Sequence, residues 1–300
     1  MTAQDHLRTY IVDAFATGEL RGNPAAVVLS TVPLSPTEMA EHAKQLGQPA
    51  AGFVWHPHIL GDFGVASSDS ALPVLRWYGS RGQALPLCGH ATIAATRLLC
   101  DLFPHVQHLS YDTLKGPIVA NKLPNGYVEV GLPISKQPSQ VTDSAEQLRQ
   151  AVAKACSLES GDIIDFQTAR SNSVTDQNLL VALKPDVGLA ALRVDTEQLG
   201  KLSPRGFYLT QAFAEPHPRY TFKSRVFFPS FLVPEDQSCG SAHTLLAPYW
   251  AGKLGIQSHS TEPLLGLHVS ANGGEVGCRF DEWRDGATAF LVGTGKIRAV

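Results

Sequence analysis

Two short stretches, about half a chain length apart, constrain the fold of this sequence more than any other feature. The first is Leu87-Cys88-Gly89-His90-Ala91-Thr92, which runs into the apolar segment Ile93 to Leu99. The second is Ser238-Cys239-Gly240-Ser241-Ala242-His243, which runs into Thr244-Leu245-Leu246-Ala247. Both read as Cys-Gly, a polar residue, and then a helix. A β-rich run precedes each, Val74 to Tyr78 and Arg225 to Phe228. The first helix is apolar almost all round, so it is expected to be buried on most sides. The pattern predicts two similar lobes, each a strongly bent sheet wrapped around one helix, with the two helix starts facing a shared cleft. Pro248 lies inside the second helix and predicts a kink or an early end there.

The rest of the chain is punctuated by Gly, Pro and Asn between short β-rich runs. These include Tyr10 to Phe15, Ala25 to Leu29, Gly52 to Trp55, Tyr127 to Leu132, Leu179 to Leu183, Phe207 to Thr210, Leu267 to Ser270 and Ala289 to Val292. Ser35-Pro36-Thr37-Glu38 is a capping box with proline at the first helical position, which predicts a helix from about Pro36 to Gln45. A second surface helix is predicted over Ala145 to Ala155. The N-terminal lobe is expected to comprise 1–115 plus a returning strand at about 288–300, and the C-terminal lobe 116–287.

Composition excludes several classes. With 44% hydrophobic and 17% charged residues in 300, the chain is globular, and a net charge of −3 with no dense basic stripe argues against nucleic-acid binding. No apolar run approaches the roughly 20 residues of a membrane span. The start, Met1-Thr2-Ala3-Gln4-Asp5-His6, has no signal-like apolar core. Five cysteines (Cys88, Cys100, Cys156, Cys239 and Cys278) are an odd number without CxxC spacing. They predict a reducing, cytoplasmic setting rather than a disulfide scaffold.

A helix start offers unpaired N–H groups and a partial positive charge, which bind carboxylates and lower the pKa of a nearby thiol. Two such starts, each with a cysteine, can flank the α-carbon of an amino-acid carboxylate. One thiolate then removes the α-proton while the opposite thiol delivers a proton to the other face. The bland alternative is that both cysteines are small buried helix-start residues. A zinc site from Cys88, His90, Cys239 and His243 is the other alternative, but Cys-x-His is too tight for the usual structural pairs, so no metal is expected. His243 is expected to be packed within its helix.

Arg21-Gly22-Asn23-Pro24-Ala25-Ala26-Val27-Val28, the Cys88 motif, and Glu235-Asp236-Gln237-Ser238-Cys239-Gly240-Ser241-Ala242-His243 together resemble the PhzF-like (phenazine biosynthesis-like) family. The resemblance spans essentially the whole chain. It implies an α+β fold of the diaminopimelate epimerase type, with two pseudo-symmetric lobes that are each a β-barrel around a central helix, and a homodimer. It also implies proton-shift isomerase chemistry without a cofactor. The family's catalytic Glu falls at Ala50, in Pro49-Ala50-Ala51-Gly52-Phe53-Val54, and a second Glu common before the Cys-Gly-His turn falls at Ala84. His90, Asp236 and Ser241 match positions expected to contact substrate. Relatives usually carry Thr where Cys239 stands; cysteine at both positions resembles the diaminopimelate epimerases and the proline racemases, whose two cysteines are the two bases.

The reading is therefore a cofactor-independent racemase or epimerase of an amino acid or related α-substituted carboxylate. Cys88 and Cys239 form its acid–base pair. His90, Ser241 and the N–H groups following Gly89 and Gly240 hold the carboxylate, Asp236 addresses the amine, and Asn23 reaches the cleft. Two alternatives stay open: an isomerase moving a proton within an unsaturated ring or amide, and a binding protein that kept the cleft after losing its Glu. Asn272-Gly273-Gly274-Glu275 resembles a family Arg-Gly-Gly-Glu turn with the Arg replaced. Arg76 and Arg225 are expected to be solvated or ion-paired.

Overall fold

A computed structural model describes residues 6–61, 63, 72–133, 139–140, 145–168, 178–202, 206–231, 233–256, 262–280 and 287–298. The chain divides into two compact units, Met1–Gly131 with Val292–Val300, and Leu132–Leu291. The first unit opens with strands β1 (Leu7–Ala14) and β2 (Asn23–Ser30), helix α1 (Pro36–Leu46), and strands β3 (Ala50–Trp55), β4 (Val74–Gly79) and β5 (Ala84–Leu85). The central helix α2 (Gly89–Leu102) follows, then β6 (His108–Tyr111), β7 (Ile118–Lys122) and β8 (Val128–Pro133).

The second unit contains β9 (Ser139–Gln140), α3 (Ala145–Ala155), β10 (Ile163–Thr168), β11 (Asn178–Leu183), α4 (Thr196–Gly200), β12 (Gly206–Ala212) and β13 (Phe222–Phe228). It continues with β14 (Val233–Asp236), the central helix α5 (His243–Leu254), β15 (Leu264–His268), β16 (Gly274–Phe280) and β17 (Thr288–Gly293). The last strand, β18 (Gly295–Arg298), returns to the first unit and pairs with β1.

In the first unit β18, β1, β2, β3, β4 and β5 form one sheet in that order. Its two faces are read directly from alternation. Ala26 and Val28 of β2, Ala51 and Phe53 of β3, and Tyr78 of β4 pack with Met39 and Ala43 of α1. The residues between them, Ala25, Val27, Ala50, Gly52, Val54 and Trp77, therefore face α2. Gly52 shows this directly: a Cβ there would lie 3.5 Å from the Ala91 carbonyl oxygen of α2. Helix α1 has the expected cap, with Ser35 Oγ accepting from the Glu38 N–H and the Glu38 carboxylate accepting from the Ser35 N–H. Helix α2 is buried at eleven of its positions, from Gly89 to Cys100 with only Arg97 emerging.

In the second unit the path β17-β16-β15-β13-β12-β11-β10-β9 carries β14 beside β13. Both faces are again covered. Leu179, Val181, Leu183, Phe207 and Leu209 pack with α3 and α4 residues such as Val152 and Leu199. Leu180, Ala182, Tyr208, Phe222 and Val226 pack with Leu245, Leu246, Tyr249 and Trp250 of α5.

Three expectations change. The division falls after Gly131 rather than at 115, because β7 pairs with β6 and β8 with β7, and β6, β7 and the start of β8 belong to the first unit; the chain re-enters that unit at Val292 rather than 288. Helix α5 runs on past Pro248 to Leu254, so the proline does not end it early. The strand read at Leu267 to Ser270 lies instead at Leu264–His268, since Ser270 and Gly273 close a turn (Gly273 N–H to Ser270 O, 3.1 Å). Among the described residues no helix is long and apolar enough to cross a membrane.

Candidate active site

The first cysteine site lies at the start of α2. Cys88 is the N-cap, in extended conformation (φ −145°, ψ 103°), and Gly89 is the first helical residue. The Cys88 carbonyl accepts both the Thr92 N–H (3.1 Å) and the Thr92 hydroxyl (2.7 Å). Trp77 Nε1–H donates to the same hydroxyl (3.1 Å), so the sheet, the helix and the Cys88 peptide are joined through one Thr. The thiol turns back toward the helix, with Sγ 3.4 Å from His90 Nδ1. Burial drops the His90 pKa to about 4, so the ring is neutral at physiological pH and offers the thiol a hydrogen bond rather than a base.

Ala50 and Asn23 belong to the same unit as Cys88. Both lie on the sheet face that meets α2, at the first residues of the parallel strands β3 and β2, and both are buried. Ala50 is fully inaccessible and supplies no acid or base, as its position in the motif implied.

The second cysteine site is built differently. Cys239 does not open α5: the helix begins at His243, with Ala242 as its N-cap. Between them the chain winds as a tight turn, His243 N–H bonding Gly240 O (2.9 Å) and Thr244 N–H bonding Ser241 O (3.2 Å). These are i to i+3 bonds, the 3₁₀ pattern common at helix starts. The expectation of two matching helix-start cysteines therefore holds for Cys88 and is corrected for Cys239, which precedes a 3₁₀ turn. Gly240 and Ser241 form that turn.

The surroundings of Cys239 carry a second titratable group. Asp236 ends β14, opposite Val226 of β13. Its Oδ1 accepts the Ser238 N–H (3.2 Å), and its carboxylate is hydrogen-bonded to the Cys239 side chain. Cys239 Sγ also lies 3.5 Å from Ser241 Oγ. Burial, reinforced by the nearby Glu235 charge, pushes the Asp236 carboxyl up to about 6, against the opposing hydrogen bonds from Cys239 and Ser238. Burial and the Asp236 charge hold the Cys239 thiol well above its ordinary value. At neutral pH the pair is therefore a thiol beside a carboxylate poised close to neutrality. Such tuning suits a proton carrier.

Neighbouring elements fix this loop. Arg225 of β13 grips the Glu235 carboxylate with two bonds (Nε to Oε1, 2.7 Å; Nη2 to Oε2, 2.9 Å) and donates to Leu192 O (2.7 Å). The turn at Asn272 braces the loop from the other side: Ser270 Oγ donates to Gln237 O (2.6 Å) and the Asn272 N–H to Gln237 Oε1 (3.0 Å). Glu275 is paired with Arg219 (2.5 and 2.8 Å). Arg76 lies against Asp112, bonding its carbonyl (2.7 Å). Both Arg225 and Arg76 are thus engaged in ion pairs.

The five cysteines are free and buried, and among the described residues no group of His, Cys, Asp and Glu is arranged to hold a metal ion. Burial raises Cys100 to about 11 and Cys156 and Cys278 to about 12, which leaves them inert packing thiols. Two residues escaped sequence reasoning. Thr92 ties down the Cys88 peptide, and His268, at the end of β15, receives the Cys239 N–H on Nε2 (3.2 Å). Thr92 sits four residues after Cys88, a spacing that could have identified it. His268 carried no such signal.

Known proteins are similar to this chain over nearly their full length. A bovine (Bos taurus) phenazine biosynthesis-like domain-containing protein is 32% identical, covering 96% of this chain and 98% of the relative. An uncharacterized isomerase of Pseudomonas aeruginosa is 30% identical over 97% and 98% of the two chains. Among solved structures, a PhzF-family protein of Enterococcus faecalis superposes with a TM-score of 0.76 at 25% identity, covering 98% of this chain and 97% of that one. The α+β fold is thus the diaminopimelate epimerase-like one that the motifs implied. The sequence profile of the phenazine biosynthesis-like proteins matches residues 12–290, and with both cysteine motifs inside that span, the chain belongs to the phenazine biosynthesis-like protein family.

Proposed function

We propose that this protein is a cofactor-independent isomerase that inverts the α-carbon of an amino acid or related α-substituted carboxylate, with Cys88 and Cys239 as the acid–base pair. The observation that supports the reading is that each thiol has a polar partner beside it: the neutral His90 ring, Nδ1 3.4 Å from Cys88 Sγ, and the Asp236 carboxylate, a proton acceptor for Cys239. The Cys239 thiol, held well above its ordinary value, needs such an acceptor to act as a base.

In one direction Asp236 accepts the Cys239 Sγ proton while that sulfur takes the substrate α-proton. The electron pair of the broken C–H bond moves into the carboxylate as an enolate, against the N–H groups of the Cys-Gly turns. Cys88 Sγ–H then protonates the opposite face, and the thiolate left behind is held by the helix start and His90. The enzyme ends with Asp236 protonated and Cys88 ionised, ready for the reverse direction. The name of the Pseudomonas aeruginosa relative, an isomerase, agrees with this class.

Following α-proton exchange in D₂O over a panel of L- and D-amino acids, with wild type and the Cys88→Ser and Cys239→Ser variants, tests the reading. Inversion in wild type and its loss in each variant, with exchange surviving from one enantiomer only, is expected. Unchanged inversion in both variants sinks it.

A second reading rests on Asp236 alone. A carboxyl with its pKa near 6 can move a proton within an unsaturated substrate without either sulfur. In that case Asp236→Asn abolishes turnover of such a substrate while both Cys→Ser variants stay active.

A further inference from the structure

We infer that His243 and His268 form a clamp on the Cys239 peptide, both locked as Nδ1–H tautomers, and are positioning residues for its thiol. The positioning role rests on the thiol chemistry proposed above; the clamp itself does not.

The need for a clamp comes from the turn. At the first site the Cys88 carbonyl is held by the N–H and hydroxyl of the residue four positions on, Thr92. At the second site the 3₁₀ turn diverts the equivalent N–H, that of His243, to Gly240 O. The side chain of the same residue takes its place: His243 Nδ1 lies 3.0 Å from Cys239 O. The Cys239 N–H, in turn, points at His268 Nε2 (3.2 Å). Both polar groups of one peptide residue are therefore satisfied by imidazoles, one from α5 and one from β15.

Those two bonds fix the protons. A nitrogen facing a carbonyl must carry hydrogen, so His243 is protonated on Nδ1. A nitrogen receiving an N–H must be bare, so neutral His268 also carries its hydrogen on Nδ1. Burial keeps both rings neutral, His243 at about 4 and His268 depressed well below its ordinary value. The remaining nitrogens, His243 Nε2 and His268 Nδ1, are buried without a partner among the described residues, and they are opposite in kind: a lone pair and an N–H, on rings whose centroids are 5.4 Å apart.

The packing leaves room for this arrangement at one place. A Cβ on Gly266 would lie 2.6 Å from His243 Nε2 and 2.7 Å from the Phe222 ring. Gly266 pairs with Phe222 and His268 with Ser224, so all four share the sheet face on which His243 lies. The Ser224 hydroxyl, buried and without a partner, stands beside His268 on that face.

The test begins on the wild-type chain. Two-dimensional ¹⁵N NMR of histidine-labelled protein is assigned with His243→Asn and His268→Gln, and both rings are expected to show a protonated Nδ1 and a bare Nε2 at neutral pH. An Nε2–H tautomer at either ring overturns the clamp.

The second arm is iodoacetamide labelling read by peptide mass spectrometry. His243→Leu and His268→Leu are expected to raise Cys239 labelling by about tenfold, the equivalent of one buried hydrogen bond of about 1.4 kcal/mol, with Cys88 labelling unchanged. His243→Asn keeps a donor and His268→Gln keeps an acceptor, so both are expected to label as wild type. Wild-type labelling in folded Leu variants overturns the clamp, and if those variants do not fold the tautomers decide. Once a substrate is found, the Leu variants are expected to lose α-proton exchange from one enantiomer only; equal loss from both overturns the positioning role. Failure of the racemase reading shows instead in the Cys→Ser variants, with the tautomers unaffected.

Discussion

Lowering the pH from 7 to 5 is expected to destabilise this protein through its buried neutral histidines. His90 and His243 both fall from 6.5 to about 4 on folding. Between those values the unfolded chain binds the proton and the folded chain does not. The stability each contributes is therefore full above about 6.5 and is lost as the pH falls through about 4. At pH 5 the unfolded form of each ring is almost wholly protonated and the folded form about one-tenth so, a loss of about 2 kcal/mol per ring relative to pH 7. The pair gives about 4 kcal/mol, a large part of the 5–15 kcal/mol that holds a typical domain. His268 adds to the loss, since its pKa is also depressed. Asp236 opposes it: its folded value of about 6 lies above 3.8, so protonation below 6 favours the folded state. Urea unfolding followed by tryptophan fluorescence at pH 7 and 5 reads the difference. Replacing His243 by Asn is expected to remove about 2 kcal/mol of the pH dependence. Stability that is flat across this range, or an acid loss undiminished in His243→Asn, refutes the buried-neutral assignment.

Further outcomes follow from the same geometry. Gly266→Ala drives a methyl into His243 and Phe222 and is expected to cost about 1–3 kcal/mol, read as a lower Tm. Arg225→Met leaves Glu235 partly buried without its cation and is expected to cost about 3–5 kcal/mol in denaturant unfolding. Asp236→Asn removes the acceptor beside Cys239 and is expected to lower α-proton exchange by about 100-fold or more, with little change in Tm. Thr92→Val keeps the backbone bond to Cys88 O but deletes the hydroxyl and leaves the Trp77 N–H unmet, and about 1–3 kcal/mol of stability is expected to be lost.

The parts of the fold that were legible in sequence are those set by local chemistry. The Ser35 capping box marked the start of α1, and β-rich runs between Gly, Pro and Asn marked β2, β3, β11 and β12. The Cys-Gly motifs marked the start of α2 and the turn that leads into α5. What was misread depended on contacts that sequence separation hides. Treating Cys239 as a helix start followed from its likeness to Cys88, but the turn after Gly240 closes one residue tighter. The unit boundary was misplaced because β7 and β8 owe their allegiance to pairing with β6 rather than to any composition change. His268 reads as an isolated histidine in a Leu-rich strand, and only the fold brings its ring to a peptide 29 residues away. Ala50, the position to which the family resemblance assigns a Glu, lies on the sheet face toward α2.

The return of β18 to β1 has a consequence for how the chain acquires its shape. Ile11 to Ala14 pair with Gly295 to Arg298, and Arg298 Nε bonds the Asp13 carboxylate (2.8 Å). The free side of β1 is therefore covered by a strand that follows the whole of the second unit in sequence, and the second unit is a single uninterrupted segment, Leu132–Leu291. On the ribosome the second unit has all its strands before the first has its last. The first sheet, made earlier, must wait with β1 as an open edge until residues 295–298 have emerged.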